Sequence, residues 1–224
     1  LGAEAPDFPA GPRVACAGAG LANHAEVIAV PRNLVVAIPE GVDFREASTV
    51  TLGAIAMQGV RRADATLGET FVVIGLGILG QLTVQLLRAN GCRVFGSDLD
   101  PARVARALEL GMDGALDPND ADTVSRILRV TDGHGADGVI ITASASSDDI
   151  VSVAFSLCRR KGRVVLVGDV GLGLKRGDLY EKEIDFLIST SYGPGRYHAA
   201  YEEEGLDYPI GYVRWTENRN MAEY

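Results

Sequence analysis

One stretch near residue 70 constrains this chain more than any other. Residues 71–74 are a continuous apolar run, followed by Gly75-Leu76-Gly77-Ile78-Leu79-Gly80 and then by apolar residues spaced three and four apart. An uninterrupted apolar run is typical of a parallel strand covered on both faces, and the later spacing is typical of a helix. The stretch therefore predicts a strand, a tight glycine turn and a helix.

The same alternation continues downstream. Strands are predicted at 93–97, 114–116, 138–142, 163–168 and 184–189, with helices at 101–110, 120–130 and 147–159. Parallel strands need crossovers, so the pattern predicts an α/β fold with a doubly wound parallel sheet of the Rossmann type. Residues 12–39 differ, because three β-favouring segments at 13–17, 25–30 and 34–39 alternate with turns and predict part of an antiparallel barrel. Asp43 and the residues after it predict a helix start, and 51–62 predict a second helix.

Three regions follow from this reading. Residues 1–45 are predicted to be a partial barrel segment, 46–192 a nucleotide-binding domain, and 193–224 an irregular tail rich in aromatic residues. The chain lacks an initiator methionine, which predicts a fragment of a longer protein.

The glycine turn predicts a dinucleotide site. Gly75 permits the turn, Gly77 lets a pyrophosphate approach the backbone, and Gly80 lets helix and strand pack closely. The free amides of Ile78 and Leu79 would face the anion. A turn that binds nothing is the alternative.

An acid is placed as such a site requires. Asp98 ends the next predicted strand, 18 residues after Gly80, where it would bind the ribose hydroxyls of the adenosine, with Leu99 beside it. Its charge would repel the extra phosphate of NADP, which favours NAD, although Arg103 could turn toward that phosphate or pair with Asp98. The alternative role for Asp98 is a helix cap, and Asp100, directly before Pro101, fits a cap better.

Composition excludes several classes of function. The chain has 21 basic and 30 acidic residues and a formal charge of −9, which disfavours nucleic acid and anionic membranes as partners. No apolar run is long enough to span a membrane, and the acidic opening lacks the basic head of a signal peptide. Three scattered cysteines predict free thiols and a cytoplasmic protein.

Ordered motifs extend these signals to nearly the whole chain. Arg13-Val14-Ala15, Glu46-Ala47-Ser48, Leu67-Gly68-Glu69 and the glycine turn occur in the order that resembles the medium-chain dehydrogenase/reductase superfamily. The stretches 16–26, 191–197 and 210–220 resemble its zinc-independent branch of bi-domain oxidoreductases. This resemblance implies a GroES-like barrel, a Rossmann domain and, in many members, a second fused oxidoreductase domain. It also implies that Thr142-Ala143 and Val167-Gly168 meet the nicotinamide half of the cofactor.

Metal and catalytic groups are harder to assign. Zinc members of the superfamily use clustered cysteines or Cys with His, and three lone thiols cannot close a tetrahedral site, so no zinc is predicted. No catalytic acid or base is recognisable. Tyr192 and Arg196 are candidates for contact with substrate, and the alternative is a packed tail that orders a domain or subunit contact.

The prediction is a zinc-independent oxidoreductase module that moves hydride between NAD, or less favourably NADP, and a carbonyl or alcohol. The substrate would be a small molecule, polar or sugar-like. The sequence leaves the oligomeric state open, with a homo-oligomer as one of the alternatives. A dinucleotide-binding module without chemistry is the alternative, and a methyltransferase is a third reading that the barrel segment disfavours.

Overall fold

The computed structural model describes residues 11–224 and divides the chain into two compact units. We call Ala56–Ser189 the sheet unit, and residues up to Ile55 together with Thr190–Tyr224 the terminal unit. The predicted boundaries followed residues 45 and 192, whereas the observed ones follow Ile55 and Ser189. Helix 50–62 crosses the first observed boundary, so the sequence pattern gave no break there.

The helices and strands of the described residues are as follows. The strands are β1 (Val14–Cys16), β2 (Val35–Ala37), β3 (Thr70–Ile74), β4 (Arg93–Ser97), β5 (Gly114–Leu116), β6 (Ala136–Ile141), β7 (Ser144–Ala145), β8 (Cys158–Leu166), β9 (Asp169–Val170) and β10 (Asp185–Ile188). The helices are α1 (Phe44–Ala47), α2 (Val50–Arg62), α3 (Ile78–Ala89), α4 (Pro101–Glu109), α5 (Thr123–Val130), α6 (Asp149–Leu157), α7 (Arg176–Tyr180), α8 (Ala199–Glu202) and α9 (Glu217–Glu223).

The sheet unit contains the predicted doubly wound sheet. Its strand order is β10-β8-β6-β3-β4-β5, and every neighbouring pair is parallel. The chain runs from β3 outward through β4 to β5 and then returns to the other side of β3 with β6. The carboxyl ends of β3 and β6 therefore form the point where the winding reverses, which is where open α/β sheets bind ligands.

Burial on both faces explains the apolar run that begins the motif. Phe71 and Val73 belong to one buried cluster and Val72 to another, because successive side chains of a strand point to opposite faces. All three side chains are fully buried. A strand covered on both faces must be apolar throughout, so no alternation is visible in the sequence.

The terminal unit differs from its prediction in one strand. β1 and β2 pair antiparallel, with Val14 opposite Ala37. The strand predicted at 25–30 is wrong: these residues form bends and irregular backbone, and Val27 is 88% exposed. Within residues 11–224 no strand pairs with this segment, so its β-favouring residues have no neighbouring strand with which to form backbone hydrogen bonds.

The tail belongs to the terminal unit and is irregular apart from α8 and α9. Asn33 donates from Nδ2 to the carbonyl oxygen of Tyr201 (2.8 Å), and Asn218 donates to the carbonyl oxygens of Asn33 (2.9 Å) and Val35 (3.0 Å). These bonds join backbone segments that are far apart in sequence. Across the described residues, no helix combines the length and apolar character needed to cross a membrane.

Local signals set the helix starts. Asp43 begins α1 with a capping box, in which its side chain accepts from the Glu46 amide and the Glu46 side chain accepts from the Asp43 amide. This confirms the predicted start.

Candidate functional site

An open cavity of about 800 Å³ lies at the reversal point of the sheet. We call it the glycine-turn cavity. Nine of the predicted cofactor residues line it: Gly75, Gly77, Ile78, Leu79, Asp98, Leu99, Arg103, Thr142 and Ala143. These residues come from the ends of β3, β4 and β6 and from the start of α3, so the topology brings together positions up to 68 apart in sequence.

The three glycines of the turn have different roles. Gly75 has φ +92°, a left-handed conformation that side chains rarely adopt. A Cβ on Gly80 would lie 2.0 Å from the Gly75 carbonyl oxygen, so only glycine lets the helix approach the strand this closely. A Cβ on Gly77 would have no protein atom within 4 Å. The space beyond Gly77 is therefore not needed for packing.

The start of α3 leaves backbone donors at the cavity. Gly77 is the N-cap of the helix and has no side chain with which to bond the first amides. The first amides of a helix have no partner within it, and the helix dipole adds partial positive charge there. Ile78 and Leu79 line the cavity at this end. The arrangement suits an anion.

Asp98 joins the turn to the cavity wall. Its Oδ2 accepts from the Leu76 amide (2.7 Å) and its Oδ1 accepts from the Asp100 amide (2.9 Å). Arg103 Nη1 lies 3.6 Å from Asp98 Oδ2, while the Arg103 side chain remains 55% exposed. Arg103 also lies 3.5 Å from Asp100 through Nε, so it pairs with the acids beside the turn, while its predicted contact with a 2′-phosphate stays a prediction.

The cap question is settled in favour of Asp100. Its Oδ1 accepts from the Ala102 amide (2.9 Å), and Pro101 occupies the first position of α4. This is the arrangement that the sequence predicted for Asp100. Asp98 is not the N-cap of α4, and it lines the cavity.

The ends of β6 and β8 form the other side of the turn. Thr142 donates from Oγ1 to the Gly75 carbonyl oxygen (2.5 Å), and the amides of Thr142 and Ala143 both donate to the Ile74 carbonyl oxygen. Val167 and Gly168 follow β8 and donate to the Ile141 carbonyl oxygen (2.9 Å each), but neither lines the glycine-turn cavity. Their predicted contact with a nicotinamide stays a prediction.

Sequence reasoning did not single out several residues that the structure places here. Gln81 donates from Nε2 to the carbonyl oxygens of Leu76 (2.9 Å) and Arg103 (2.8 Å), which ties the turn to α4. Its only sequence signal is a polar side chain in the first turn of an apolar helix. The further lining residues are Ile74, Ser97, Asp100, Pro118, Ser144, Ala145 and Ile150.

Tyr192 and Arg196, the predicted substrate contacts, belong to the terminal unit and line a second cavity there. Tyr192 is 4% exposed. Arg196 donates from Nη1 to Glu202 Oε1 (2.6 Å).

Metal donors are scattered. Among residues 11–224 no group of three or more His, Cys, Asp or Glu side chains is placed to hold a metal ion. The three cysteines are free thiols, and Cys92 and Cys158 are buried. Burial raises the pKa of Cys158 to about 11 and raises the pKa of Cys92 as well, as expected of core thiols. Both belong to the hydrophobic clusters of the sheet unit.

Comparison with known proteins assigns the chain to a family. Residues 79–204 match the family model described as zinc-binding dehydrogenase. An alcohol dehydrogenase of Rhizobium meliloti is 32% identical over 133 residues, which are 58% of this chain and 38% of that protein. A sorbitol dehydrogenase of Halalkalibacterium halodurans is 28% identical over 170 residues, which are 73% of this chain and 48% of that protein. This chain thus spans less than half the length of these curated relatives.

Solved structures agree in fold. The 2R,3R-butanediol dehydrogenase of Bacillus subtilis matches with a TM-score of 0.65 at 25% identity, over 71% of this chain and 46% of that one. A dehydrogenase-family protein of Sinorhizobium meliloti 1021, bound to NADP, matches with a TM-score of 0.64 at 28% identity, over 71% and 48% of the two chains. The family match covers more than half of the chain. The chain therefore belongs to the zinc-binding dehydrogenase family, within the medium-chain dehydrogenase/reductase superfamily.

Proposed function

We propose that this chain is the nucleotide-binding part of an oxidoreductase that transfers hydride between a nicotinamide dinucleotide and a carbonyl or alcohol substrate. The observation that carries the proposal is the space beyond Gly77, at the N-terminus of α3 and beside Asp98. A dinucleotide uses this combination, because its pyrophosphate needs the open backbone and the helix N-terminus while its ribose hydroxyls need the strand-end acid. The names of the curated relatives, alcohol and sorbitol dehydrogenase, support hydride transfer as the chemistry.

The residues present fit such a cofactor. The amides of Ile78 and Leu79 would hold the pyrophosphate, and Asp98 would accept hydrogen bonds from the ribose hydroxyls. Thr142 and Ala143, backed by Val167 and Gly168, would border the nicotinamide half. A bound nicotinamide supplies or accepts the hydride, and the protein orients it and excludes water.

NAD is the proposed cofactor in preference to NADP. The Asp98 side chain is 9% exposed and lies at the cavity wall, where its negative charge would repel a 2′-phosphate. The NADP-bound relative makes the choice worth testing. We expect Asp98→Asn to lower NAD affinity about tenfold and to raise the ratio of NADP to NAD affinity by at least as much, as calorimetric titration would measure. Unchanged affinities for both cofactors would contradict the assignment of Asp98.

The proposed chemistry in this chain does not use zinc. The donors do not fit the ion that the family description names, because the thiols of Cys92 and Cys158 are buried core groups with raised pKa values. A cysteine binds zinc as the thiolate, which a raised pKa disfavours, and no group of three or more His, Cys, Asp or Glu side chains within residues 11–224 is placed to hold a metal ion. No step of the proposed chemistry therefore uses a metal held by residues 11–224.

The decisive experiment compares two matched glycine substitutions. Gly77→Asp places a carboxylate where the pyrophosphate would lie, whereas Gly177→Asp places one at another glycine whose added Cβ also meets no protein atom within 4 Å. We expect calorimetry to show NAD binding to the parent chain and to Gly177→Asp, and at least about a hundredfold loss in Gly77→Asp.

Two outcomes separate the alternatives. Binding of NAD together with its reduction by trial alcohols supports the oxidoreductase, whereas tight binding without turnover supports a module without chemistry. Equal NAD affinity in both variants, or preferential binding of S-adenosylmethionine, would refute the proposal.

A further inference from the structure

The side chain of Gln81 joins three parts of the sheet unit that meet at the glycine-turn cavity. Gln81 is the fourth residue of α3, and its Nε2 donates to the carbonyl oxygen of Leu76 in the glycine turn (2.9 Å). The same nitrogen donates to the carbonyl oxygen of Arg103 in α4 (2.8 Å). Gln81 does not line the cavity itself, so it can act on a ligand only through the residues that it holds.

The direction of the Gln81 amide follows from its neighbours. Both groups that face Nε2 are carbonyl oxygens, which only accept hydrogen bonds. The opposite orientation would turn Oε1 toward two acceptors and lose both bonds. The amide nitrogen is therefore fixed between Leu76 and Arg103.

This orientation leaves one atom of Gln81 without a partner. Its Oε1 is buried and makes no hydrogen bond within the part of the chain that the structure describes. A buried acceptor without a partner destabilises a fold, and an apolar side chain of similar length would avoid that penalty. Local rules of this kind are broken mainly at functional sites. Gln81 therefore indicates a role in binding rather than in stability.

The contacts of Gln81 form a closed ring that includes the proposed ribose acid. The Leu76 amide donates to Asp98 Oδ2 (2.7 Å), and the Leu76 carbonyl oxygen accepts from Gln81. Gln81 also bonds to the backbone of Arg103, whose Nη1 lies 3.6 Å from the same Asp98 oxygen. We call Leu76, Gln81, Arg103 and Asp98 the contact ring.

The contact ring joins two parts of the proposed dinucleotide site. Leu76 lies in the turn at which the pyrophosphate would bind, and Asp98 would bind the ribose hydroxyls. A dinucleotide contacts both parts at once, so its affinity depends on how firmly their separation is fixed before it binds. The amide of Leu76 is bonded to Asp98 and its carbonyl to Gln81, so both sides of this residue are held.

Arg103 is the member of the contact ring that is held least by its own side chain. That side chain is 55% exposed, and its nitrogens lie 3.6 Å from Asp98 Oδ2 and 3.5 Å from Asp100 Oδ2. Exposed ion pairs of this length contribute little. The hydrogen bond from Gln81 fixes the backbone from which the guanidinium extends, and so keeps it beside the two acids.

We propose that Gln81 is a positioning residue that determines the preference of this site for NAD over NADP. The inference rests on the proposed function, because it concerns the same dinucleotide site. Gln81 holds the glycine turn and the start of α4 together. Arg103 then stays paired with the acids and does not extend toward a 2′-phosphate, and the negative charge of Asp98 faces that phosphate at short range.

The test measures the affinities of the full chain for NAD and for NADP by calorimetric titration. Gln81→Met keeps the length of the side chain and removes both hydrogen bonds. We expect NAD affinity to fall at least about fivefold and the ratio of NADP to NAD affinity to rise at least about threefold. A purely structural role would lower both affinities alike and leave the ratio unchanged.

A double-mutant cycle tests the route through which Gln81 acts. Asp98→Asn removes the charge that faces Arg103 and so opens the contact ring at another point. We expect Gln81→Met to lower NAD affinity less than about twofold in this background, because the two substitutions disrupt the same ring.

Gln85→Met is the matched control on the same helix. Gln85 is exposed, lies one turn farther along α3, and donates to the Gln81 carbonyl oxygen (3.1 Å). Its bond reaches neither the glycine turn nor α4. We expect this variant to leave both affinities unchanged.

Several results would overturn the proposal. They are an unchanged ratio in Gln81→Met, the same loss of NAD affinity with and without Asp98→Asn, or an equal loss in Gln85→Met. Gln81→Leu is a second variant, and both it and Gln81→Met should fold, because they favour helix and remove the unpaired Oε1. If far-UV circular dichroism shows that both are unfolded, Gln81 serves the fold itself and the positioning role is refuted.

The parent chain separates failure here from failure of the proposed function. Parent that binds NAD, together with Gln81→Met that binds NAD and NADP equally well as the parent does, refutes the role of Gln81 alone. Parent that binds no NAD refutes the proposed function and the role of Gln81 with it.

Discussion

Partly buried acids of the sheet unit are hydrogen-bonded to arginines, whereas the fully buried acid of the terminal unit has no hydrogen-bond partner in the described residues. Asp137 accepts from Arg159 Nε (2.7 Å) and from the Thr70 amide (2.8 Å), and Glu69 pairs with Arg163. Neither oxygen of Glu217 has a hydrogen-bond partner within the described residues, although the side chain is fully buried.

The two environments shift acid pKa values in opposite directions. Burial alone raises the pKa of Asp137 and Glu69, but their hydrogen bonds and arginine partners outweigh it and leave both values lowered. Burial and the charge of Glu202 raise the pKa of Glu217 to about 8, against a smaller opposing effect of Arg196. An acid with hydrogen-bond and arginine partners therefore stabilises the folded state at neutral pH, whereas a buried acid without such partners destabilises it there.

The largest expected effect is a loss of stability of the terminal unit as pH rises, caused by the buried carboxyl of Glu217. Because the folded state keeps a proton on Glu217 that the unfolded state releases, the stabilisation is complete below pH 4.5 and is lost as pH rises to about 8. The loss amounts to at most about 5 kcal/mol. Guanidinium denaturation followed by the fluorescence of Trp215, the sole tryptophan, reports on the terminal unit.

Glu217→Gln should remove most of this pH dependence and be more stable than the parent chain at pH 8. Glu223→Gln is the control, because Glu223 is an exposed acid on the same helix. A parent chain with constant stability between pH 5 and pH 8 would contradict the assignment of an unpaired buried acid.

A second prediction concerns the backbone of the glycine turn. Gly80→Ala forces a Cβ to within 2.0 Å of the Gly75 carbonyl oxygen, so the sheet unit should lose about 3 kcal/mol or more. Gly77→Ala meets no protein atom and should cost less than about 1 kcal/mol. Urea denaturation followed by far-UV circular dichroism measures both. Equal costs would contradict the assignment of Gly80 to helix–strand packing and of Gly77 to the open space for a cofactor.

A third prediction concerns the ion pair between Asp137 and Arg159 in the sheet unit. Asp137→Asn removes a charged partner of Arg159 and should cost the sheet unit about 1–2 kcal/mol at pH 7. The lowered pKa of Asp137 means that its stabilisation is present above pH 3.8 and is lost as pH falls further. The cost of the substitution should therefore shrink at pH 3. Asp122→Asn, at an exposed acid whose side chain makes no capping bond, is the control, and a cost that does not change with pH would argue against the pairing.

The smallest expected effect concerns thiol reactivity. Cys16 of the terminal unit is partly exposed, whereas Cys92 and Cys158 of the sheet unit are buried. A disulfide reagent should label one thiol in the native chain and three in denaturant. Labelling of two or three thiols under native conditions would indicate that the core of the sheet unit opens readily.

Local sequence carried most of the information about the sheet unit. The predicted strands at 93–97 and 114–116 coincide with β4 and β5, and the predicted helices match α3 to α6 with shifts at their ends. The helix predicted at 147–159 ends at Leu157, because Cys158 already begins β8. These elements are readable because each is bounded by its own glycines, caps and apolar period.

The terminal unit was less readable because its contacts are distant. The side chain of Asn33 donates a hydrogen bond to the backbone of Tyr201, 168 residues away, and the second cavity is lined by residues of the 16–22 stretch together with Thr51 and Arg196. Residues 25–30 have a strand-like composition but no strand beside them in the described chain. No local pattern records which segment will be the neighbour.

The family, the parallel sheet and the glycine turn could be read from the amino-acid sequence, because the left-handed conformation of Gly75 and the close packing at Gly80 are demands that only glycine meets. Only the three-dimensional fold reveals that Gln81 ties the turn to α4 and that Glu217 is buried without a hydrogen-bond partner in the described residues. The physical reason is that backbone conformation depends on neighbours in sequence, whereas burial and hydrogen-bond satisfaction depend on neighbours in space.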